Sequence, residues 1–155
     1  MTTPTNDHER FIRIAIQASR AAVVHGNPPF GAALVKDGEV LMVAENEANT
    51  LHDCTLHAEL NLISQASRRF DADTLADCTL YASTEPCPMC AGAIYWLGVP
   101  RLVFGCATAS VTSRPYKMFP YCREILNEHT GVEVIGPLLE EEALAVHHEY
   151  RRSQG

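Results

Sequence analysis

The chain has 155 residues, of which 46% are hydrophobic and 20% charged, so we expect one folded domain over residues 1–155 rather than a disordered segment. Its net charge of −7 and its two lysines, Lys36 and Lys117, argue against a nucleic-acid-binding surface, because phosphate contacts need clustered basic side chains. No apolar stretch approaches the ~20 residues that cross a bilayer, and Met1–Arg10 has no signal-peptide core, so we expect a cytoplasmic protein without a membrane partner.

Hydrophobic periodicity and turn signals divide the chain into alternating helices and strands. Asn6 and Glu9 fit a capping box before the first helix, and Asp37-Gly38 between two β-rich runs predicts a hairpin. Pro88 is placed to begin a later helix. The predicted elements are a helix over about 7–24, strands Gly31–Val35 and Val40–Ala44, a helix from His57 to about Phe70, a strand Thr79–Ser83, a helix from Pro88 to about Leu97, a strand Arg101–Cys106, a helix Arg123–His129, a strand Val132–Ile135 and a helix Leu138–Arg151.

This order of elements predicts an α/β protein, a three-layer α/β/α sandwich with a mixed central sheet of about five strands. The segment 107–121 has no period and mixes polar, proline and aromatic residues, which is typical of a functional loop. In a reducing compartment the six cysteines are expected to be thiols or metal ligands rather than disulfides. Four of them are interpreted as small core residues: Cys54, Cys78, Cys106 and Cys122.

Two short motifs carry the chemistry, His57-Ala58-Glu59 and Pro86-Cys87-Pro88-Met89-Cys90. A catalytic zinc takes three protein ligands and keeps a fourth position for water, and one imidazole with two thiolates supplies three. Cys87 and Cys90 are three residues apart at a predicted helix start, where the helix dipole and free N–H groups favour thiolates. The two motifs together therefore predict a Zn²⁺ site formed by His57, Cys87 and Cys90.

Glu59 is the candidate catalytic residue. It is two residues beyond His57, so its carboxylate would reach zinc-bound water from the side rather than bind the metal. Hydrolytic deamination needs zinc-bound hydroxide to attack the ring carbon that bears the amine, and it needs protons for the ring nitrogen and the departing amine. One carboxylate can shuttle these protons. A redox cysteine pair, a structural zinc site and a non-catalytic zinc-binding interaction module are the alternatives, and none of them uses Glu59.

The spacing His-x-Glu followed by Pro-Cys-x-x-Cys resembles the cytidine-deaminase-like superfamily of zinc deaminases. The sequence around these motifs most resembles that of bacterial guanine deaminases, and it also resembles those of fungal cytosine deaminases and tRNA-wobble adenosine deaminases. The resemblance extends from about residue 8 to 106. The segments that carry it are Asn27–Ala32, His52-Asp53, His57–Glu59 and Glu85–Trp96.

The resemblance also implies the substrate contacts. In this branch the position of Asn46 reads the edge of the ring through its side-chain amide, and the position of Phe30 packs against the bound ring. The backbone amides of Ala58 and Glu59 would line the pocket. The backbone of Glu85 is expected to contact the amine or the metal-bound water.

A free nucleobase-like ring is favoured over tRNA, because the predicted last helix carries Glu140-Glu141-Glu142 whereas tRNA deaminases typically have a basic helix there. Guanine enzymes of the family carry an aspartate in a late loop, but this chain has none after Asp77. Leu56, before the metal histidine, resembles fungal cytosine deaminases. Guanine and a monocyclic ring such as cytosine, isocytosine or an amino-triazine therefore stay equally open, with tRNA-wobble adenosine as the alternative.

The resemblance further implies a homodimer. Tyr95, Trp96 and the segment 107–121 offer apolar surface near the site, so these aromatic residues are expected in the core or in a dimer contact. His147 and His148 fall in the predicted last helix and are expected to be partly solvated.

Overall fold

The protein is described by a computed structural model over residues 5–111 and 121–155, with side chains from residue 7 onward. Six helices and five strands lie in these ranges, and a 3₁₀ turn covers Thr108–Ser110. The helices are α1 Thr5–Val24, α2 Ala58–Arg69, α3 Ala72–Leu75, α4 Pro88–Leu97, α5 Cys122–Ile125 and α6 Glu140–Ser153. The strands are β1 Gly31–Lys36, β2 Glu39–Glu45, β3 Cys78–Thr84, β4 Arg101–Cys106 and β5 Glu133–Ile135.

The strands form one mixed sheet in the order β2-β1-β3-β4-β5. β1 is antiparallel to β2 and β3, whereas β3–β4 and β4–β5 are parallel. Asp37 and Gly38 join β1 to β2 with φ of 50° and 78°, the two positive values of a type I′ hairpin turn. The predicted hairpin and the mixed sheet of five strands are therefore confirmed.

The sheet separates two hydrophobic layers, because alternate residues of a strand point to opposite faces. On β3, Leu80 packs with α2 and α4, whereas its neighbour Tyr81 packs with α1 and α6. β3 is the central strand and is buried along its whole length. The predicted α/β/α sandwich is confirmed. None of the helices in the described ranges is long and apolar enough to cross a membrane.

Close packing of α1 on β1 depends on Gly31. A Cβ atom at this position would lie 2.2 Å from the carbonyl oxygen of Ala15 and 2.5 Å from the backbone nitrogen of Ser19. Only a glycine lets the backbones approach this closely. This contact places the start of β1, and with it Phe30, relative to the first helix.

Some local predictions were wrong. α1 begins at Thr5, so Asn6 lies within the helix rather than at its cap. The short α3 was missed, although Asp71 caps it by accepting a hydrogen bond from the Thr74 N–H. The expected helix over Arg123–His129 is limited to α5, because the chain turns where the Asn127 side chain accepts a hydrogen bond from the His129 N–H. Residues 112–120 of the expected functional loop lie outside the described residues.

Candidate active site

The cysteine and histidine motifs lie at the N-termini of two helices that pack on the same face of the sheet. Cys87 is the N-cap of α4, which Pro88 begins, and Cys90 is in the first turn of that helix. His57 is the N-cap of α2. α2 and α4 contact each other, so their N-termini bring the three side chains together at the carboxyl end of β3.

The geometry of this cluster fits zinc. His57 Nδ1 is 3.5 Å from Cys87 Sγ and 3.7 Å from Cys90 Sγ, and the three candidate ligand atoms lie within 4.8 Å of one another. Tetrahedral zinc with usual Zn–S and Zn–N bond lengths needs N···S separations of about 3.6 Å. Three protein ligands are the number typical of a catalytic zinc, whereas a structural zinc usually has four. The histidine and the two cysteines therefore form a cluster suited to zinc.

The two cysteine sulfur atoms influence each other's pKa. Hydrogen bonding from the Cys90 thiol, followed by that from His57, lowers the pKa of Cys87 to about 4. The pKa of Cys90 is raised, because its proton is held by the Cys87 sulfur and because the group is buried. The lowered pKa of Cys87 favours its thiolate, which is the form of cysteine that binds a metal.

Glu59 lies in the first turn of α2 and is only 4% exposed. Burial, and then repulsion by the Cys87 thiolate, raises the pKa of Glu59 to about 7. A carboxyl group with a pKa near neutrality can both accept and donate a proton. Its position beside the ligand cluster therefore suits the shuttle role expected from the sequence.

A cavity of about 640 Å³ opens beside His57. The Phe30 ring is nearly parallel to the His57 imidazole, with an interplanar angle of 10° and 6.4 Å between the ring centres. Asn46 also lines the cavity and is buried, and its side-chain oxygen accepts a hydrogen bond from the Ala48 N–H. Phe30, Asn46 and His57 therefore line one cavity, and substrate contacts by Phe30 and Asn46 stay predictions.

The hairpin β1–β2 explains why Phe30 and Asn46 are neighbours. Phe30 precedes β1 and Asn46 follows β2, and the Asn46 N–H donates to the Phe30 carbonyl at 3.0 Å. Asn27 secures the adjoining loop, because its side-chain oxygen accepts hydrogen bonds from the N–H groups of Asn49 and Thr50. Asn27 is buried, so this asparagine of the quoted motif has a structural role.

Ala58 and Glu85 are not among the residues that line this cavity. Ala58 is buried at the start of α2. The Glu85 carboxylate accepts hydrogen bonds from the Thr108 N–H at 2.9 Å and from the Cys122 thiol at 3.4 Å. Its backbone N–H donates to Cys106, and its carbonyl accepts from the Thr108 hydroxyl. A substrate contact by either residue stays a prediction.

The sequence interpretation missed two cavity residues from α6, His147 and Tyr150. His147 was expected to be partly solvated, but it is only 6% exposed, whereas His148 is exposed as expected. Helical spacing from the buried Ala143 places His147 on the inward face and could have indicated this burial. The last helix therefore supplies part of the cavity wall.

The expectation that Cys54 lies in the core was wrong, and one of the two alternatives for Tyr95 and Trp96 is excluded. Cys54 is exposed and borders the cavity instead of lying in the core, whereas Cys78, Cys106 and Cys122 are buried as predicted. Tyr95 and Trp96 do not belong to the core, since their exposed fractions are 50% and 84%. An intersubunit contact by these two aromatic residues stays a prediction.

Comparison with known proteins agrees with this geometry. The family described as "Cytidine and deoxycytidylate deaminase zinc-binding region" matches residues 5–106. Guanine deaminase of Bacillus subtilis is 44% identical over 99 residues, which is 63% of this chain and 63% of that protein. A probable cytosine deaminase of Schizosaccharomyces pombe is 34% identical over 147 residues, covering 88% of each chain.

Adenosine deaminases that act on tRNA are also similar. The tRNA-specific adenosine deaminase of Aquifex aeolicus is 36% identical over 96 residues, covering 62% of this chain and 64% of that protein. Among solved structures, guanine deaminase from Nitrosomonas europaea superposes with a TM-score of 0.82 and 27% identity, covering 98% of this chain and 86% of that one. The chain therefore belongs to the cytidine and deoxycytidylate deaminase zinc-binding family.

Proposed function

We propose that this protein hydrolytically deaminates a free nucleobase or a related aminated heterocycle. The observation that carries the proposal is the cavity beside His57. Its volume of about 640 Å³ is within the usual range for small-molecule sites, and none of its described lining residues is a lysine or an arginine. Such a cavity suits a small uncharged ring better than a phosphate-bearing substrate.

The residues of the site divide into holding and reacting groups. His57, Cys87 and Cys90 would hold zinc, which supplies a Lewis acid that makes water nucleophilic near neutral pH. Glu59 would take one proton from the attacking water and pass it to the ring nitrogen, and would then take the second proton from the added hydroxyl group and pass it to the departing amine. The oxygen of water adds to the amine-bearing carbon, the C–N bond breaks, and ammonia leaves.

Other residues that line the cavity beside His57 hold the ring. The Phe30 side chain offers a flat apolar face, and an aromatic ring can stack on any nucleobase, because every base has a π-face. Asn46 offers an amide to the polar ring edge, and it discriminates between rings because an unpaired buried polar group costs ~1–3 kcal/mol. Guanine is the first base to test, because the similarity to the Nitrosomonas europaea enzyme covers 98% of this chain.

Cytosine is the second candidate of the same class. The Schizosaccharomyces pombe relative covers 88% of this chain, including part of the segment beyond residue 106. Isocytosine and amino-triazines also carry an exocyclic amine on a ring carbon next to a ring nitrogen, so they belong in the same assay. The ring preference is read directly from the relative turnover of these compounds.

Deamination of tRNA is the alternative outside the free-base class, because the similar Aquifex aeolicus protein is a tRNA-specific adenosine deaminase. The charges of α6 oppose it. Glu140, Glu141 and Glu142 occupy the first turn of α6, and Glu140 accepts hydrogen bonds from the Ala107 N–H and the Ser110 hydroxyl. Three carboxylates in one helical turn, in a chain of net charge −7, disfavour a polyanionic substrate, because a tRNA reader needs clustered cations.

The decisive assay measures ammonia release from guanine, cytosine, isocytosine and amino-triazines beside inosine formation in an anticodon stem-loop, all in one buffer. We expect turnover of at least one free base and far slower conversion of the stem-loop. Asn46→Ala should reduce turnover of the preferred base by about ten-fold, a larger effect than the loss of stability from removing its hydrogen bond to the Ala48 N–H. Inosine formation without turnover of any free base would refute the proposal.

A further inference from the structure

His147 is a buried polar residue of the cavity wall that the proposed chemistry does not use. It comes from α6, far along the chain from the zinc motifs, and is only 6% exposed. Its Nε2 atom lies 2.7 Å from the hydroxyl oxygen of Thr84, which is itself buried. A buried hydrogen bond between groups 63 residues apart holds two elements in a defined relation.

Thr84 is the last residue of β3, and the chain continues directly through Glu85 and Pro86 to the metal ligand Cys87. Its hydroxyl also lies 3.4 Å from the Cys106 sulfur at the end of β4. The His147–Thr84 hydrogen bond therefore joins α6 to the strand end from which the zinc-binding segment leaves.

His147 also contacts the ring expected to pack on the substrate. Its imidazole meets Phe30 edge to face, with an interplanar angle of 79° and 5.3 Å between the ring centres. Phe30 in turn lies nearly parallel to His57. A change in the orientation of His147 would therefore be transmitted to the apolar face of the cavity through a direct ring contact.

We propose that His147 is a positioning residue, which the hydrogen bond to Thr84 orients so that it holds Phe30 in place for substrate binding. This inference rests on the proposed function. His147 lies outside the cluster of His57, Cys87 and Cys90, and it contacts the apolar face of the cavity through Phe30. The consequence of losing the hydrogen bond should therefore appear in substrate binding rather than in the chemical step.

The test compares KM and kcat of the zinc-loaded protein for its preferred base. His147→Phe keeps an aromatic ring but removes the hydrogen bond, and the near-isosteric Thr84→Val removes it from the other side. We expect each variant to raise KM about ten-fold with kcat within about two-fold, the pattern of lost binding common to the ground state and the transition state. The double variant should be no worse than either single variant, because both break the same interaction.

Two variants separate positioning from general disturbance. His148→Phe makes the same change at the exposed neighbour on α6 and should leave KM at the wild-type value. Thr84→Ser restores a hydroxyl and should return KM to within about two-fold of wild type. Thr84→Val also keeps the proposal testable if His147→Phe does not fold.

Unchanged KM in Thr84→Val would overturn the proposal, and so would an equal rise in KM for His148→Phe. A fall in kcat accompanied by loss of zinc would also overturn it, since it would indicate a structural role. If the wild-type protein converts only the anticodon stem-loop, the proposed function fails. The same variants are then compared by their KM for the stem-loop, where a rise confined to the His147 and Thr84 changes still supports the positioning role.

Discussion

Replacing Glu59 with glutamine keeps the size of the side chain but removes its ability to accept a proton. The substitution falls at a site only 4% exposed, in the first turn of α2, two residues from the candidate zinc ligand His57. A neutral amide has no charge to desolvate there, and burial already raises the pKa of the native carboxyl to about 7. We therefore expect the folded state and the zinc content to be preserved.

The magnitude follows from the role of the carboxyl group. General acid–base catalysis contributes roughly 10²–10⁴-fold to a rate, which corresponds to about 2.7–5.4 kcal/mol of transition-state stabilisation. Since Glu59 would serve several proton transfers of one reaction, the loss should approach the upper end. KM should change much less, because the amide occupies the same volume.

The assay is steady-state ammonia release from the preferred base by protein whose zinc content has been measured. Glu128→Gln is the matched control, because it makes the same chemical change at a carboxylate that is 89% exposed. Turnover by Glu59→Gln within a few-fold of wild type, at equal zinc content, would refute the proton-shuttle assignment.

Three further outcomes are expected. Cys87→Ala should lower the zinc content measured by elemental analysis from about one per chain to well below that value. The same change at the exposed Cys54 should leave the zinc content unchanged. Full zinc retention by Cys87→Ala would show that Cys87 is not a ligand. Gly31→Ala should lower the free energy of unfolding by about 3 kcal/mol or more in urea titration, because its Cβ would lie 2.2 Å from a backbone oxygen of α1. Gly92→Ala in α4 is the control: its Cβ would meet no atom within 4 Å, so this change should be neutral or stabilising. Light scattering should give about twice the 17.0 kDa chain mass for the wild-type protein, as expected for a homodimer. Trp96→Glu should give the single-chain mass, because the Trp96 ring is 84% exposed and is the candidate dimer contact. A wild-type mass of 17.0 kDa at micromolar concentration would contradict the homodimer.

Local sequence was sufficient for the parts of the site that lie within one turn of a helix start. The spacing of Cys87 and Cys90, with Pro88 between them, predicted both the start of α4 and two sulfur atoms facing one point, and the structure has both features. The hairpin turn was equally local, because Asp37-Gly38 has the φ values that few other pairs adopt. These features depend on backbone preferences and on neighbours a few residues away.

Tertiary structure alone decided what each helix packs against. Periodicity can place His147 on the inward face of α6, but it cannot show that this face meets Thr84 at the end of β3 and the ring of Phe30. Cys54 was mistaken for a core residue for the same reason, since a small apolar side chain in a loop carries no period. The choice of ring also depends on the cavity, because its walls come from segments that only the folded sheet brings together.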